Sequence, residues 1–227
     1  MDTRDLIPPS PSEDDYEQER RAQEAFSVDE DQGKVFTSDD PLELFAQWLE
    51  LAKKHEVNDA HAMSVATVDG AGFPNVRVVL LKDLDEGFVF YTNSMSAKGD
   101  ELAENPLAAL CFHWKSIRRQ VRIRGLVEPV SEAENDQYFA SRARSAQIGA
   151  WASQQSRPMT EEGILQKRVE DYEAIYEGRD VRRPDWWRGY RVTPSQMEFW
   201  VNRPFRLHDR LQFDYDGEGW NKTRLYP

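Results

Sequence analysis

The chain has 227 residues, of which 39% are hydrophobic and seven are tryptophan, enough for one large domain or two small ones with a real core. It has no run of about 18 apolar residues and no basic region followed by an apolar stretch at its start, so we expect neither a membrane span nor a signal peptide. A single cysteine, Cys111, excludes an internal disulfide and fits a cytoplasmic protein. Its apolar neighbours favour a core position.

The net charge of −12 belongs mainly to the first part of the chain. Residues 1–40 hold 13 acidic and 4 basic side chains, whereas the remaining residues hold 28 and 25. The body is therefore almost neutral and lacks the overall basic footprint of nucleic-acid-binding proteins. We expect no nucleic-acid partner.

The chain is predicted to consist of an acidic arm and one domain. Residues 1–37 are rich in Pro, Ser, Asp and Glu without periodicity, which indicates a flexible or loosely docked arm. Residues 38–227 are assigned to a single domain. The first firm helix is expected after Asp40, with Pro41 at its first position and Glu43 completing a capping box.

The rest of the chain predicts mostly strands. A short helix is expected in SAKGDELAEN, another after Ser131 with Glu134 as its capping partner, and a longer one from Thr160 to Gly178. Strands are expected at AMSVATV, NVRVVLLK, GFVFYTN, LAALCFHW, RQVRIRGLVEPV, GYRVTP, QMEFW, RLHDRLQFDY and WNKTRLY. This order favours an α+β fold, mainly an antiparallel barrel carrying a few helices.

Two of the expected strands place polar groups on one face. Alternation puts Arg206, His208 and Arg210 on one face of RLHDR, and it puts Gln120 on the same face as the arginines of QVRIRG. Two arginines beside His208 should depress its protonation, so a neutral imidazole could hydrogen-bond a substrate. A purely structural role for His208 is equally open.

Another basic pair lies in RVVLLK. Arg77 and Lys82 are five residues apart and would face opposite ways on a regular strand. They could serve two different anions, or one of them could face solvent.

Two polar segments are candidate ligand sites. TNSMSAKGDEL leads into a helix start that bears Lys98, which suits a phosphate, although Ser and Thr before a helix are usually only caps. SAQIGAWASQQS shows no helix or strand period and is expected to be a loop, either lining a ligand or lying on the surface. No histidine has a Cys or His partner at metal-ligand spacing, so no metal site is expected.

Together these motifs carry a family resemblance. RVVLLK, FVFYTN, SAKG, RRQVRIRG, YFASR, SAQIGAWASQQS, EFW and RLHDR, in this order, resemble the pyridoxamine 5′-phosphate oxidase family from about residue 41 onward. The resemblance implies a split β-barrel and a homodimer with FMN at the subunit interface. It also implies the oxidation of pyridoxine or pyridoxamine 5′-phosphate to pyridoxal 5′-phosphate, with dioxygen as acceptor and hydrogen peroxide as a product, in vitamin B6 metabolism.

The resemblance also implies roles for individual residues. Arg206 and His208 would be catalytic and would hold the substrate ring together with Leu207. Lys82, Tyr138, Arg142 and the position of Ala146 would bind the substrate phosphate. FMN would be held by Arg77, Val78, Val79, Leu80, Leu81, Lys82, Tyr91, Thr92, Ala97, Lys98, Gln120, Gln155, Ser156, Trp200 and Arg210.

The chain departs from the family pattern at two positions, and the family's N-terminal Arg and Tyr, which can close over the substrate, have no clear counterpart in it. Ala97 stands where many members have an arginine, and Ala146 stands where a serine often binds the substrate phosphate, with Ser145 next to it as a candidate replacement.

Three other functions are alternatives. The chain could be a related FMN oxidase of the phenazine-pathway type, a non-catalytic protein that binds flavin or pyridoxal phosphate, or an interaction scaffold. Lys82, Tyr138, Arg142 and RLHDR favour the vitamin B6 oxidase.

Overall fold

The structure, a computed structural model, describes residues 11–26 and 35–227. The helices are α1 (Glu13–Phe26), α2 (Pro41–His55), α3 (Ala97–Glu104), α4 (Glu132–Ser141), α5 (Arg144–Ala152) and α6 (Ile164–Ile175). The strands are β1 (Ala62–Val68), β2 (Pro74–Leu80), β3 (Asp83–Leu84), β4 (Phe88–Asn93), β5 (Leu107–Trp114), β6 (Arg119–Pro129), β7 (Trp187–Val201), β8 (Asp209–Tyr215) and β9 (Trp220–Leu225). No helix in these residues combines the length and apolarity needed to cross a membrane.

Helix α1 lies within the segment that the sequence predicts to be a flexible arm. The Ser12 hydroxyl accepts from the backbone N–H of Asp15 at 3.2 Å, and the Asp15 carboxylate accepts from the N–H of Ser12 at 2.8 Å. Arg20 forms ion pairs with Glu17 and Glu24 on the helix surface. This capping pair marks the start of α1, although the segment lacks the apolar periodicity by which a helix is usually recognised in a sequence. The arm's mobility stays a prediction, and residues 1–10 and 27–34 lie outside the described residues.

Helix α2 begins where the sequence predicts, with a different cap. The Asp40 carboxylate accepts from the backbone N–H groups of Leu42 and Glu43, at 2.7 and 3.3 Å. The predicted capping box is wrong, because the N–H of Asp40 donates to the Ser38 hydroxyl, and that hydroxyl donates to Glu43. The helix buries one face that includes Phe45 and Trp48.

The strands form one sheet in the order β2-β1-β5-β6-β7-β4-β3, and β8 pairs with β7 and β9. Strand β1 pairs antiparallel with β2, from Ala62 opposite Leu80 to Val68 opposite Pro74, and β4 pairs antiparallel with β7. The predicted α+β class with antiparallel strands is confirmed. The two strands expected in GYRVTP and QMEFW are a single strand, β7.

The described chain divides into two compact units. The first contains the described residues up to Glu56, with His113–Val121 and Met197–Pro227, and the second contains Val57–Phe112 and Arg122–Gln196. Strands β5, β6 and β7 each contribute residues to both. The assignment of residues 38–227 to one domain stays a prediction.

Each unit has an aromatic core. In the first, the Trp48 and Phe199 rings meet edge to face with centroids 5.1 Å apart, and Phe199 meets Phe213 at 5.7 Å. In the second, Phe88 lies 6.2 Å from Phe112, and both side chains are fully buried. Such ring pairs contribute packing energy beyond the area that they bury.

Two predictions about helices are wrong: one segment predicted as a loop is largely helical, and one helix begins later than predicted. SAQIGAWASQQS is not a loop, because α5 covers its first part and buries Gln147, Ile148 and Ala152. Helix α6 begins at Ile164, after Gly163 in a left-handed conformation with φ 80°, rather than at Thr160. A left-handed N-cap residue favours glycine, so Gly163 fixes the start.

Candidate functional site

A cavity of about 810 Å³ lies in the second unit. Four cationic side chains line it, Arg77, Lys82, Lys98 and Arg142, and none of the described lining residues is Asp or Glu. Lys98 is buried and Arg77 and Arg142 are half-buried, and positive charge held out of water is costly unless an anion compensates it. The cavity therefore suits a ligand with more than one negative charge.

Lys98 is buried at the first turn of α3, with 6% of its surface exposed. Its ammonium donates to the Thr92 hydroxyl at 2.9 Å, the Ser96 hydroxyl at 3.2 Å and the Gln155 side-chain oxygen at 3.1 Å. Burial, reinforced by the charge of Arg77, lowers the pKa of Lys98 to about 8. A phosphate beside this ammonium would offset both effects.

Arg77 projects from β2 into a network of acceptors. Its guanidinium donates to the Glu101 carboxylate at 2.8 Å, to the Val65 carbonyl at 3.3 Å and to the Thr67 hydroxyl. Glu101 does not line the cavity, although Arg77 does. Nothing in the sequence marks Glu101 as buried, since a glutamate in a short surface helix is usually exposed.

Lys82 lines the same cavity as Arg77, which contradicts the expectation that the two face opposite ways. Strand β2 ends at Leu80, and the backbone N–H of Lys82 donates instead to the carbonyl of Val89. The alternation of side chains along the strand ends before Lys82, so it does not force the Lys82 side chain onto the face opposite Arg77.

Arg142 follows the last residue of α4 and packs against the aromatic wall of the cavity. Its guanidinium carbon lies 4.9 Å from the centroid of the Trp187 ring and 5.6 Å from that of Phe139. One terminal nitrogen, Nη1, is buried and has no hydrogen-bond partner among the described residues. Burial lowers the pKa of Arg142. A buried donor without a partner among the described residues leaves a place for an acceptor oxygen of a ligand or a water.

The aromatic wall consists of three nearly parallel rings. Tyr91 stacks on Tyr138 at 4.1 Å and on Trp187 at 5.0 Å, with interplanar angles of 15° and 11°. Burial, followed by the charge of Glu134, raises the pKa of Tyr91 to about 12, so its hydroxyl is neutral. Trp187 was missed, although the paired tryptophans of PDWWRGY just before a strand could have indicated it.

Helix α5 presents small side chains to the cavity. Ala146, Gly149, Ala150 and Ser153 line it, and a Cβ at Gly149 would meet nothing within 4 Å. Ser145 lines a different cavity, next to α6, so it does not replace the serine that is missing at position 146.

The segment that carries RLHDR lies in the first unit and is not one continuous strand. Residues Pro204–Arg206 form a 3₁₀ turn in which Phe205 and Arg206 adopt left-handed φ values of 57° and 62°. Strand β8 begins only at Asp209. The prediction that strand alternation places Arg206, His208 and Arg210 on one face is therefore wrong. Left-handed non-glycine residues store strain, which is a frequent property of functional segments.

His208 is oriented by the backbone. Its Nδ1 accepts from the N–H of Arg203 at 3.1 Å, and its ring lies 4.5 Å from that of Trp200. Burial, followed by the charges of Arg206 and Arg210, lowers the pKa of His208, although Glu19 opposes this. A neutral ring that accepts at Nδ1 carries its proton on Nε2, which is buried without a partner among the described residues.

Arg210 is held at the start of β8. Its Nε donates to the buried Glu198 carboxylate at 2.8 Å, and its Nη1 donates to the carbonyl of Tyr226 at 2.8 Å. Arg203, which the sequence analysis leaves outside the site, pairs with Asp209 at 2.6 Å and also orients His208.

The predicted site residues thus fall into two groups. Those lining the cavity are Arg77, Val78, Val79, Leu80, Lys82, Tyr91, Thr92, Ala97, Lys98, Tyr138, Arg142, Ala146, Gln155 and Ser156. Leu81 is buried and does not line it. Gln120, Trp200, Arg206, Leu207, His208 and Arg210 belong to the first unit. The cavity residues that were not predicted individually are Asn75, Val76, Asn93, Gly149, Ala150, Ser153 and Trp187, of which Asn93, Gly149, Ala150 and Ser153 lie in the two predicted ligand segments.

Known proteins are similar to this chain over nearly its full length. A pyridoxine/pyridoxamine 5′-phosphate oxidase of Caulobacter vibrioides is 57% identical over 98% of this chain and 97% of its own. A protein of the same name from Maricaulis maris is 55% identical over 98% of each chain. Among solved structures, PhzG from Burkholderia lata, in complex with tetrahydrophenazine-1-carboxylic acid, superimposes with a TM-score of 0.79 at 32% identity, covering 84% of this chain and 94% of its own.

Two family descriptions cover most of the chain. Residues 50–176 match pyridoxamine 5′-phosphate oxidase, and residues 187–227 match the pyridoxine 5′-phosphate oxidase C-terminal dimerisation region. The fold is shared with an FMN-binding, oxidase-related protein of Nostoc punctiforme at a TM-score of 0.67 and 17% identity, covering 84% of this chain and 100% of its own. The predicted split-barrel class is confirmed by these likenesses. The chain belongs to the pyridoxamine 5′-phosphate oxidase family.

Proposed function

We propose that this chain is an FMN-dependent oxidase that converts pyridoxine or pyridoxamine 5′-phosphate to pyridoxal 5′-phosphate. Dioxygen is the acceptor, hydrogen peroxide is released, and the amine substrate also yields ammonia, in the synthesis and salvage of vitamin B6. The observation that carries the proposal is the cavity with four cations and no carboxylate among its described lining residues. Two phosphorylated ligands, cofactor and substrate, would account for that charge.

The cavity residues fit FMN. Arg77 and Lys98 would bind its phosphate, beside Thr92, Gln155 and Ser156, and the buried ammonium of Lys98 supports this assignment. The backbone from Val78 to Lys82, with Tyr91 and Ala97, would line the cofactor. Gln120, Trp200 and Arg210, which belong to the first unit, are further proposed contacts of the cofactor. FMN, when bound, supplies the hydride acceptor and passes the electrons to dioxygen.

The substrate phosphate would lie on Lys82, Tyr138 and Arg142. The unpartnered Nη1 of Arg142 supports this role, because a phosphate oxygen would complete its hydrogen bonds. Ala146 would contact the same group without donating a hydrogen bond. The Arg142 guanidinium packs over the Trp187 ring, a contact that favours a defined position for the bound phosphate.

Arg206, Leu207 and His208 would hold the substrate ring, with Arg206 and His208 as the catalytic residues. The neutral His208 would donate from Nε2 to a substrate oxygen or nitrogen, because its Nδ1 is engaged by the Arg203 backbone. The Arg206 guanidinium would stabilise negative charge that develops on the reacting rings. The protein would contribute to catalysis by positioning the substrate and by electrostatic stabilisation.

We further propose a cytoplasmic homodimer with FMN at the subunit interface. The match to a dimerisation region supports the dimer. Val76 and Val78 of β2 are 63% and 67% exposed, which is unusual for apolar strand residues and suits an interface. Because the cavity lies beside the same strand, a second copy could complete it.

A related oxidase acting on a phenazine precursor is the second candidate, supported by the likeness to PhzG. That ligand is named as a carboxylic acid, without a phosphate. The cationic set of Lys82 and Arg142 favours the phosphorylated substrate.

The test compares substrates and variants. FMN-loaded protein should oxidise pyridoxine 5′-phosphate far better than pyridoxine, and tetrahydrophenazine-1-carboxylic acid should be a poor substrate. Arg206→Ala and His208→Ala should lower kcat/KM while FMN stays bound. Equal rates with and without the substrate phosphate would refute the assignment, and loss of FMN in either variant would refute the catalytic roles.

A further inference from the structure

Glu101 supports the cation pair from behind the cavity wall. It lies on α3 three residues after Lys98, and its side chain is only 9% exposed. Its carboxylate accepts from Arg77 Nη2 at 2.8 Å, from the Asn75 amide at 2.8 Å and from the Thr67 hydroxyl. Arg77 and Asn75 line the cavity, whereas Glu101 does not.

The charge of Glu101 offsets the cost of holding two cations together. Burial raises the pKa of Glu101, but the bonds from Thr67, Asn75 and Arg77 outweigh burial and hold the pKa below its ordinary value. The carboxylate is therefore ionised at neutral pH. Arg77 disfavours the charged form of Lys98, and Glu101 favours it. Removing a buried counter-ion leaves a charge that something else must compensate.

We propose that Glu101 is a built-in counter-ion that competes with the cofactor phosphate for Arg77 and so limits the affinity of the site for that phosphate. The inference rests on the proposed function, in which Arg77 and Lys98 bind the phosphate of FMN. In the protein without ligand, Glu101 supplies the negative charge that the phosphate would otherwise bring.

The geometry favours competition over positioning. The other terminal nitrogen of Arg77 donates to the Val65 carbonyl at 3.3 Å and to the Thr67 hydroxyl. These bonds restrain the guanidinium without Glu101. A change that removes the carboxylate charge but keeps its size should therefore alter the electrostatics more than the orientation.

Glu101→Gln tests this in the apoprotein at pH 7, by titration with FMN and with riboflavin and detection of flavin fluorescence. Riboflavin carries the same ring without the phosphate. The variant should bind FMN about tenfold more tightly than the parent, because one charge–charge repulsion at short range is lost. Its affinity for riboflavin should not change. Glu104→Gln, an exposed glutamate on the same helix, is the matched control and should leave both affinities unchanged.

Other results of these titrations would overturn the inference. Weaker FMN binding in Glu101→Gln, with riboflavin unaffected, would mean that Glu101 positions Arg77, and it would overturn the inference. Equal changes for both flavins would indicate a purely structural role, with the same consequence. A parent protein that does not prefer FMN to riboflavin would overturn the proposed function as well, before any variant is made. If Glu101→Gln folds poorly, FMN added during preparation should restore folding, because its phosphate would take the place of the missing carboxylate. Failure of FMN to restore folding would contradict the proposal that the two anions exchange as counter-ions of Arg77.

Discussion

At the scale of single residues, Lys98 is the most informative group of the site, because its buried ammonium donates its hydrogen bonds to neutral oxygens. Thr92, Ser96 and Gln155 satisfy its hydrogen bonds but do not neutralise its charge. Burial and the charge of Arg77 lower its pKa to about 8, and the charge of Glu101 offsets this only in part. A phosphate would offset the rest, so proton binding by Lys98 and FMN binding should be coupled.

The affinity for FMN should therefore fall as the pH rises above about 8. Below that pH the free protein already carries the ammonium, and above it the proton must be taken up before the phosphate can pair with it. We expect the dissociation constant to rise up to about tenfold per pH unit. Fluorescence titrations between pH 7 and pH 10 measure it. Lys98→Arg, which stays protonated, should give a flat profile, and a flat profile in the parent would contradict the coupling.

Arg142 should decide the affinity for the substrate without affecting the cofactor. Arg142→Lys loses the planar contact with Trp187 and a buried donor, so KM for pyridoxine 5′-phosphate should rise about tenfold or more. The dissociation constant for FMN should not change. Arg179→Lys, on the exposed loop after α6, is the control. An unchanged KM would remove Arg142 from the substrate site.

At the scale of elements, the position of a ligand group depends on where helices and strands stop. Helix α4 ends at Ser141, just before Arg142, and its start is fixed by a capping box in which the Ser131 hydroxyl accepts from the N–H of Glu134. Strand β2 ends two residues before Lys82, and β8 begins one residue after His208. Lys82, Arg142 and His208 thus lie just outside regular structure, where alternation no longer applies, whereas Arg77 and Lys98 lie within β2 and α3.

Ser131→Ala should destabilise the protein by about 1 kcal/mol, because one N-cap hydrogen bond is lost. Urea unfolding of the apoprotein measures the change. Thr160→Ala is a matched control, since the structure places Thr160 four residues before the start of α6. Equal destabilisation by the two substitutions would contradict the assignment of the helix starts.

The same boundaries show what the sequence could and could not predict. Strands β1 and β5 and the cap of α4 were predicted correctly, because alternation and a capping pair are local signals. Helix α5 was mistaken for a loop because its small residues at Ala146, Gly149 and Ala150 face a cavity rather than a core, so no apolar stripe appears. The turn at Phe205 and Arg206 was missed because neither residue type favours positive φ.

At the scale of the whole molecule, an acidic protein keeps a cationic cavity. The net charge is −12, yet the described lining of the cavity carries four cations and no carboxylate. Steering by the overall field would not favour an anionic ligand, so local hydrogen bonds and ion pairs must supply the affinity. The exposed valines of β2 support the proposal that a second copy of the chain packs beside this cavity.

Val78→Asp should weaken the dimer and lower the affinity for FMN together, because a carboxylate would be buried at the interface and beside the cavity. Light scattering after size-exclusion chromatography should show mass moving toward the 26.4 kDa monomer. Val57→Asp, at a position 90% exposed in the same unit, should remain dimeric. A fully dimeric Val78→Asp protein would place the interface elsewhere.

The most direct test of the central claim is a product assay in air. Protein loaded with FMN is mixed with pyridoxine 5′-phosphate, and pyridoxal 5′-phosphate, hydrogen peroxide and dioxygen uptake are followed together. The account predicts that the three change in equal amounts over many turnovers. Protein that binds FMN but forms no pyridoxal 5′-phosphate would contradict it.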